Sequence, residues 1–205
     1  MNPHRTLLLS GFEPFGGEPI NPSWEVARAL AGQVVGAYRI ESVCLPCVFA
    51  QAPQALEAAW QRCQPDAVLC LGQAEGRSEV TPERVAINCI EARIPDNANA
   101  QPRECPVVPD GPTAYFSGLP LQRIVNRLQA LDIPASISNT AGTFVCNQVF
   151  YQLQHRWGIE GRPSGFVHLP CLPEQATRMG MTPPCPSLPL PVQIQAVREI
   201  VAALG

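Results

Sequence analysis

Lysine is absent from this sequence: all 14 of its basic residues are arginine. Without a lysine amine, the chain cannot form a Schiff base with a substrate, a P-loop phosphate site or a Ser-Lys pair. Histidine is nearly absent too, since only His4, His155 and His168 occur, at well separated positions. A metal site built on histidines is therefore not expected, and no cofactor is predicted.

Charge is also sparse, because charged residues make up 15% of the chain and the formal net charge is −3. No basic stretch is present, so nucleic acid is not an expected partner. There is no apolar run of about 18 residues, and the start of the chain lacks the pattern of a signal peptide. We therefore expect a protein that has no membrane span and works in the cytoplasm.

Cysteine, by contrast, is frequent. The nine cysteines are an odd number, and they are spread over apolar segments instead of being concentrated in a short, loop-rich chain. Most of them are expected to be reduced. Cys44 and Cys47 have the spacing of a CxxC pair, but no second pair accompanies them, so neither a zinc site nor a redox motif is favoured.

The hydrophobic pattern predicts strands that alternate with helices, which is typical of a layered α/β fold. A chain of 205 residues that is 46% hydrophobic suits one core, so residues 1–205 are assigned to one domain. We predict strands at residues 5–10, 38–45, 66–72, 135–138 and 165–170, and a β-type run at 80–90. We predict helices at residues 21–30, 51–64, 119–131, 145–157 and 189–204, with long loops at 95–119 and 171–187.

A turn of small residues, 140–143, separates a predicted strand from a predicted helix and puts Cys146 in the first turn of that helix. Gly142 permits the tight bend. Unpaired amide N–H groups and the positive end of the helix dipole stabilise an anion there, so a thiolate is favoured. The pattern is typical of a reactive cysteine, although a cysteine packed into a core gives the same local signal.

A glycine-rich loop, residues 11–17, follows the first predicted strand. Its glycine spacing fits neither a dinucleotide fingerprint nor a P-loop. Phe12 and Phe15 in this loop suit stacking on a flat, neutral ring, and packing into the core is an equally good interpretation. Asn21 is predicted to cap the next helix, with Pro22 at its first position.

The segment 73–97 is polar where a core segment would be apolar. Glu83 lies beside Arg84 in it, which predicts either a surface ion pair or a carboxylate that orients a histidine. His168 is the natural partner of Cys146, because it lies near the carboxyl end of a predicted strand, where catalytic groups of open α/β sheets gather. A structural histidine would fit the same pattern.

Longer motifs run through the chain: GFEPFGG at 11–17 with NPSW at 21–24, TPERVAIN at 81–88, ARIPDN at 92–97 and TAGTFVCN at 140–147. FVHLP at 166–170 and PEQ at 173–175 complete the set. In this order they resemble the pyroglutamyl peptidase type I family, also called pyrrolidone-carboxylate peptidases, which are cysteine peptidases. The resemblance covers most of the chain, from about residue 7 to residue 175.

The resemblance implies a single-domain, three-layer α/β/α sandwich around a twisted, mainly parallel mixed sheet. It implies hydrolysis of the amide bond after an N-terminal pyroglutamyl residue, through a thioester, by a triad of Glu83, Cys146 and His168. Arg93 is implied as a helper in oxyanion stabilisation. The implied substrate-binding residues are Phe12, Phe15, Asn21, Gln73, Phe144 and Val145. Pyroglutamyl peptides as substrates and assembly into a homo-oligomer, a dimer or a tetramer, complete the expectation.

Glu75 is a departure from the family pattern, because a glycine is common at this position. If the position needs a positive φ, the glutamate introduces strain; if it faces the site, it alters the pH dependence. Two other interpretations stay open. A nucleoside-phosphorylase-like enzyme is suggested by the glycine-rich first loop and would depend on phosphate. A non-catalytic protein would bind pyroglutamyl peptides without hydrolysing them.

Overall fold

The computed structural model describes residues 4–158 and 161–205. Its strands are β1 (Arg5–Phe12), β2 (Val34–Val35), β3 (Tyr38–Leu45), β4 (Ala67–Gln73), β5 (Thr81–Pro82), β6 (Val85–Ile87), β7 (Ala114–Phe116) and β8 (Ser164–Leu169). Its helices are α1 (Pro22–Leu30), α2 (Ala52–Cys63), α3 (Leu121–Gln129), α4 (Val145–Arg156), α5 (Pro173–Met179) and α6 (Leu190–Ala202).

The main sheet has six strands in the order β2-β3-β1-β4-β8-β5. β1 runs parallel to β3 and β4, and β4 runs parallel to β8. The short strands β2 and β5 are antiparallel to their neighbours and form the two edges. The carboxyl ends of the four parallel strands therefore meet at one edge of a mainly parallel mixed sheet, which confirms the prediction.

Alternate side chains of the central strands point to opposite faces of the sheet. Leu7 and Leu9 pack beneath α1, α3 and α6, on what we call the first face. Leu8 packs on the other side, beneath α2 and α4, on the second face. Because helices cover both faces, the molecule is a three-layer α/β/α sandwich, and the predicted fold class is confirmed.

The start of α1 follows the sequence signals for capping. The Oδ1 atom of Asn21 accepts a hydrogen bond from the backbone N–H of Ser23 at 3.1 Å, and Pro22 takes the first helical position. This satisfies one of the backbone donors that every helix start leaves free. The predicted helices that correspond to α2, α3, α4 and α6 also occur, with bounds that differ only at their ends.

The predicted β-type run at residues 80–90 is divided between two sheets. β5 pairs with β8 in the main sheet, whereas β6 pairs with β7 in a separate two-stranded sheet. Glu83 lies where the chain changes partners, and its backbone N–H donates to the carbonyl of Phe166 at 2.9 Å. Strand propensity did not reveal the division, because it depends on partners that are distant in sequence.

Two other predictions about strands and loops are wrong. Residues 135–138 do not form a strand: Ala135 and Ser138 each make one isolated bridge to the segment around β5. The segment 95–119, predicted as a loop, contains β7. A run of three or four residues has too few alternations to distinguish a strand from an extended loop.

The segment 171–187 was also predicted as a loop, but α5 occupies part of it. Pro173 begins this helix, and the side chain of Gln175 accepts a hydrogen bond from the backbone N–H of Leu172 at 2.9 Å. The helix has only seven residues, so it shows no clear apolar period in the sequence.

All nine cysteines are free thiols. None of the helices in residues 4–158 and 161–205 combines the length and the hydropathy that a membrane span requires.

Candidate active site

The loops at the carboxyl ends of β1 and β4, together with the end of β8 and the start of α4, surround a cavity of about 700 Å³. Residues that the sequence singled out contribute much of its lining: Phe12, Phe15, Asn21, Gln73, Arg93, Phe144, Cys146 and His168. Glu83 and Val145 are fully buried and do not line the cavity. Residues from motifs spread over most of the chain therefore converge on one site.

His168 reaches this cavity because of its register in β8. Its side chain alternates with those of Val167 and Leu169, which pack on the first face, so it points to the second face together with Phe166. Its Nδ1 atom lies 2.7 Å from Oε1 of Glu83. That carboxylate is fully buried, and the backbone ladder between β5 and β8 fixes its position.

Cys146 occupies the first turn of α4 and lines the cavity. The turn before it is possible because Gly142 adopts a φ of +75°. Phe144, the N-cap residue, is extended, and no side chain caps the helix start. The first N–H groups of α4 are thus available to an anion beside the thiol.

Gly72 of β4 lies close both to the thiol of Cys146 and to the strand that carries His168. It is the register partner of His168 in the ladder between β4 and β8. A Cβ atom on Gly72 would lie 2.9 Å from Sγ of Cys146. The absence of a side chain on this glycine therefore leaves the space into which the thiol packs, next to the strand that carries the histidine.

Burial decides the resting charge of this pair. Removal from water raises the pKa of the Cys146 thiol well above its ordinary value, and the neighbouring Cys47, Glu83 and Cys70 raise it further. Burial also lowers the pKa of His168, against the opposing effect of Glu83. A neutral thiol and a neutral imidazole are therefore favoured. Desolvation thus opposes the thiolate that the helix position favours.

Arg77 is a residue of the site that the sequence interpretation did not single out. Its Nη1 atom donates to Oε1 of Glu83 at 2.6 Å. Burial opposes ionisation of that carboxyl, but the hydrogen bond and charge of His168, the Ser138 hydroxyl and the charge of Arg77 together hold its pKa below the ordinary value. The sequence signal that could have indicated Arg77 was its position as a basic residue directly after Gly76 in the polar segment 73–97. Arg84, expected as a possible ion-pair partner of Glu83, instead donates to Oδ1 of Asn139 at 2.8 Å.

Gln73 at the end of β4 has a fixed side chain. Its Oε1 atom accepts a hydrogen bond from Nε2 of Gln175 at 3.1 Å, and its Nε2 atom lies 3.4 Å from Sγ of Cys171. Gln175 is itself fully buried and also donates to the carbonyl of Ile20 at 3.2 Å. The PEQ motif is therefore a support for Gln73, a role that the sequence alone did not assign.

Aromatic rings form the apolar part of the lining. Phe12 is 2% exposed and packs against Phe166 with ring centroids 6.4 Å apart. Phe15 is half-buried and lies 6.4 Å from Phe144, which in turn makes an edge contact with Phe49 at 5.1 Å. The two phenylalanines of the first loop thus combine both interpretations, since they pack into the core and also line the cavity.

Two charged residues of the lining have exposed side chains. Arg93 lines the cavity, and its side chain forms no ion pair within residues 4–158 and 161–205. Glu75 is part of the turn at residues 74–77, in which the positive φ of 83° falls on Gly76. The glutamate therefore introduces no backbone strain.

The described residues include no group of three or more His, Cys, Asp or Glu side chains that could hold a metal ion. An α/β sheet that brings a cysteine at a helix start to the same cavity as a histidine paired with a buried carboxylate defines a cysteine-type hydrolase.

The chain belongs to the pyroglutamyl peptidase family, whose sequence model matches residues 5–204. A pyrrolidone-carboxylate peptidase from Cupriavidus taiwanensis is 50% identical over 202 residues, which cover 96% of this chain and 91% of the relative. Pyroglutamyl peptidase I from Bacillus amyloliquefaciens superimposes with a TM-score of 0.92 at 43% identity, over 98% of this chain and 97% of that one. A mutant pyrrolidone carboxyl peptidase from Pyrococcus furiosus gives a TM-score of 0.93 at 40% identity, over 97% of each chain. The predicted family and type of enzyme are confirmed.

Proposed function

We propose that this protein hydrolyses the amide bond after an N-terminal pyroglutamyl residue, with Cys146 as the nucleophile. The observation that carries the proposal is the 2.7 Å contact between Nδ1 of His168 and the buried Oε1 of Glu83, at a cavity that Cys146 also lines. A histidine held in this way has one ring nitrogen engaged with the carboxylate. Its Nε2 atom is then free to exchange a proton with the thiol.

The reaction begins with a proton transfer. His168 accepts the thiol proton of Cys146 as the sulfur attacks the carbonyl carbon of the pyroglutamyl residue. The negative charge that develops on the carbonyl oxygen is stabilised by the N–H groups at the start of α4, with Arg93 as a further donor. His168 next protonates the leaving amine, which departs as the shortened peptide and leaves a thioester on the sulfur.

Water completes the cycle. His168 takes a proton from a water molecule, whose oxygen attacks the thioester, and the collapse of the second intermediate releases pyroglutamate and regenerates the thiol. Glu83 acts twice in this scheme, since it selects the tautomer of His168 and stabilises each imidazolium that forms. Its burial strengthens that effect, because the charges interact in a medium of low dielectric constant.

The substrate group to be recognised is a small neutral lactam without a free amine. The aromatic rings of Phe12, Phe15 and Phe144 can enclose such a ring, and Gln73 offers hydrogen bonds to the lactam N–H and C=O. Asn21 and the backbone at Val145 belong to the same proposal as supports of this pocket. The fixed orientation of Gln73 favours selectivity, because a buried polar group left unpaired by a wrong substrate is costly.

The direct test is release of a chromophoric amine from a pyroglutamyl amide by the reduced protein. Wild type is compared with Cys146→Ala and with Cys63→Ala, a matched control that removes a half-buried thiol of α2 outside the cavity. We expect wild type and Cys63→Ala to release the amine and Cys146→Ala to be inactive. A folded, reduced wild type that binds pyroglutamyl peptides without cleaving them would overturn the enzyme assignment in favour of a binding protein.

A cytoplasmic location and a homo-oligomeric state, a dimer or a tetramer, are also part of this proposal. The nine free thiols support the location, because reducing compartments keep cysteines in this form. The homo-oligomeric state is carried over from the family resemblance, and Phe116 on β7, whose large apolar side chain is 76% exposed, is a candidate contact residue. Sedimentation equilibrium measures the mass in solution, and a monomer at all concentrations would contradict the assembly.

A further inference from the structure

We propose that Arg77 is a positioning residue for the reaction: its guanidinium holds the Glu83 carboxylate in the orientation that serves His168 and ties it to the loop that carries Cys146. The inference rests on the function proposed above. Arg77 lies outside the triad, but it contacts two of the three chain segments that carry the triad residues.

The geometry of Arg77 joins these segments directly. Nη1 donates to Oγ1 of Thr81, the first residue of β5, at 2.5 Å and to Oε1 of Glu83, which directly follows β5, at 2.6 Å. Nη2 donates to the carbonyl of Thr140 at 3.0 Å, in the turn that leads into α4. One planar group therefore fixes the distance between the segment that carries the carboxylate and the segment that carries the nucleophile.

The charge of Arg77 is needed because Glu83 is fully buried. The neutral form of His168 supplies a hydrogen bond but no positive charge. Arg77 and His168 both bind Oε1, the nearby Ser138 hydroxyl supplies no charge, and Oε2 has no hydrogen-bond partner in the described part of the chain. A buried carboxylate in such surroundings takes up a proton unless a cation compensates it, and Arg77 is the cation bonded to it. A protonated Glu83 could no longer stabilise an imidazolium.

Charged and titratable groups from three elements surround His168. Glu83 faces it from the end of β5, Arg77 approaches from the loop after β4, and Cys146 lines the same cavity from α4. Glu83 favours protonation of the imidazole and Arg77 opposes it. Loss of Arg77 removes the cation that helps to keep Glu83 ionised, so the pKa of this carboxyl rises and the inactive form with a neutral Glu83 persists to higher pH.

The test compares Arg77→Gln and Arg77→Lys with wild type, with Arg84→Gln as the matched control. Arg84 adjoins Glu83 in sequence, is exposed and contacts Asn139 instead of the triad. For each protein, kcat and KM for a pyroglutamyl amide are measured across pH. The concentration of intact sites is determined by titration with a pyroglutamyl chloromethyl ketone, whose lactam directs the alkylation to the site and away from the other eight thiols.

We expect Arg77→Gln to lower kcat by about 100-fold with KM changed by less than about threefold, because a small displacement of the catalytic groups has effects of this size. The acid limb of its profile moves to higher pH. Arg77→Lys keeps the limb near its wild-type position but lowers kcat by about tenfold, since one ammonium cannot make all three contacts. Arg84→Gln behaves as wild type.

Arg77→Gln with the kcat and the acid limb of wild type would overturn the inference. A loss of activity that only follows the loss of intact sites, with an unmoved limb, would overturn it too, because that result describes a structural residue. If Arg77→Gln does not fold, Arg77→Lys decides between these outcomes by its kcat per intact site. An inactive but folded wild type overturns the proposed function itself. This outcome is distinguishable from failure of the Arg77 inference, because the latter is measured against an active wild type.

Discussion

The two faces of the sheet are made by the same strands but bury different kinds of residue. On the first face, the side chains of Leu7, Leu9, Leu69 and Val167 meet the apolar sides of α1, α3 and α6. On the second face, the alternate positions of those strands meet α2 and α4. Near the carboxyl end of β8, the apolar Phe166 on this face is followed, two residues later, by His168. A difference of one residue in register therefore separates a core position from a position in the site.

Polar groups are buried on both faces, and their partners differ. Gln193 of α6 is fully buried and donates to the carbonyls of Leu188 and Pro170 at 2.7 and 3.1 Å. It fixes two segments of backbone and carries no charge. On the second face, the buried polar cluster of Glu83 and His168 is completed by a cation and opens on a cavity. A buried polar side chain that bonds only to backbone carbonyls indicates a structural role. A buried network of charged groups beside a cavity indicates groups that can take part in catalysis.

Substitution of Gly72 would change the second face most. A Cβ atom there would lie 2.9 Å from Sγ of Cys146 and 2.8 Å from the ring of Phe166. We expect Gly72→Ala to reduce kcat/KM by about 100-fold per folded molecule, because the thiol must move out of the space next to Gly72, the register partner of His168. Steady-state kinetics with a pyroglutamyl amide measures the effect. Unchanged kinetics would mean that the thiol does not need this space.

Gly11 is the counterpart on the first face. A Cβ atom there would lie 2.4 Å from the carbonyl oxygen of Ser23 in α1, and backbone cannot give way as a side chain can. We expect Gly11→Ala to lower the free energy of unfolding by about 3 kcal/mol. The activity of its folded fraction should fall less than in Gly72→Ala. Denaturant unfolding together with kinetics separates the two effects, and the opposite ranking would contradict the division of roles between the faces.

Replacement of Gln193 should have the smallest effect. We expect Gln193→Leu to lower the free energy of unfolding by about 1 kcal/mol, because two buried carbonyls lose their donor while a similar volume is kept. The pH profile of the enzyme should stay as in wild type. Thermal unfolding measures the loss, and a displaced profile would show that the first face also takes part in catalysis.

Local signals in the sequence explain much of what could be predicted. The helix start at Cys146, the cap at Asn21 and the position of His168 near a strand end each depend on a few neighbouring residues. The residues around Glu83 left two interpretations open, a surface ion pair or a carboxylate that orients a histidine. Its pairing with His168, 85 positions away, has no local signal and was assigned only through the family resemblance. The role of Gln175 beside Gln73 was missed for the same reason.

The charge state of Cys146 shows the limit of local reasoning most clearly. Its place at a helix start favours a thiolate. Burial raises the pKa of the thiol, however, and the neighbours Cys47, Glu83 and Cys70 raise it further. These neighbours come from different parts of the chain. A pattern of a few residues describes the helix, but the electrostatics depend on everything that packs against it.

The place of β8 between β4 and β5 has a consequence for the order of folding. β5 attaches to the main sheet through β8, so the carboxylate that follows β5 reaches its final position only after a strand made much later has docked. During synthesis, α4 and its thiol emerge before β8. We therefore expect an incomplete chain to carry an ordinary thiol, without histidine or carboxylate beside it. The peptidase would become active only when its last strand completes the sheet. The Cys146 thiol is therefore not activated while the chain is still being synthesised.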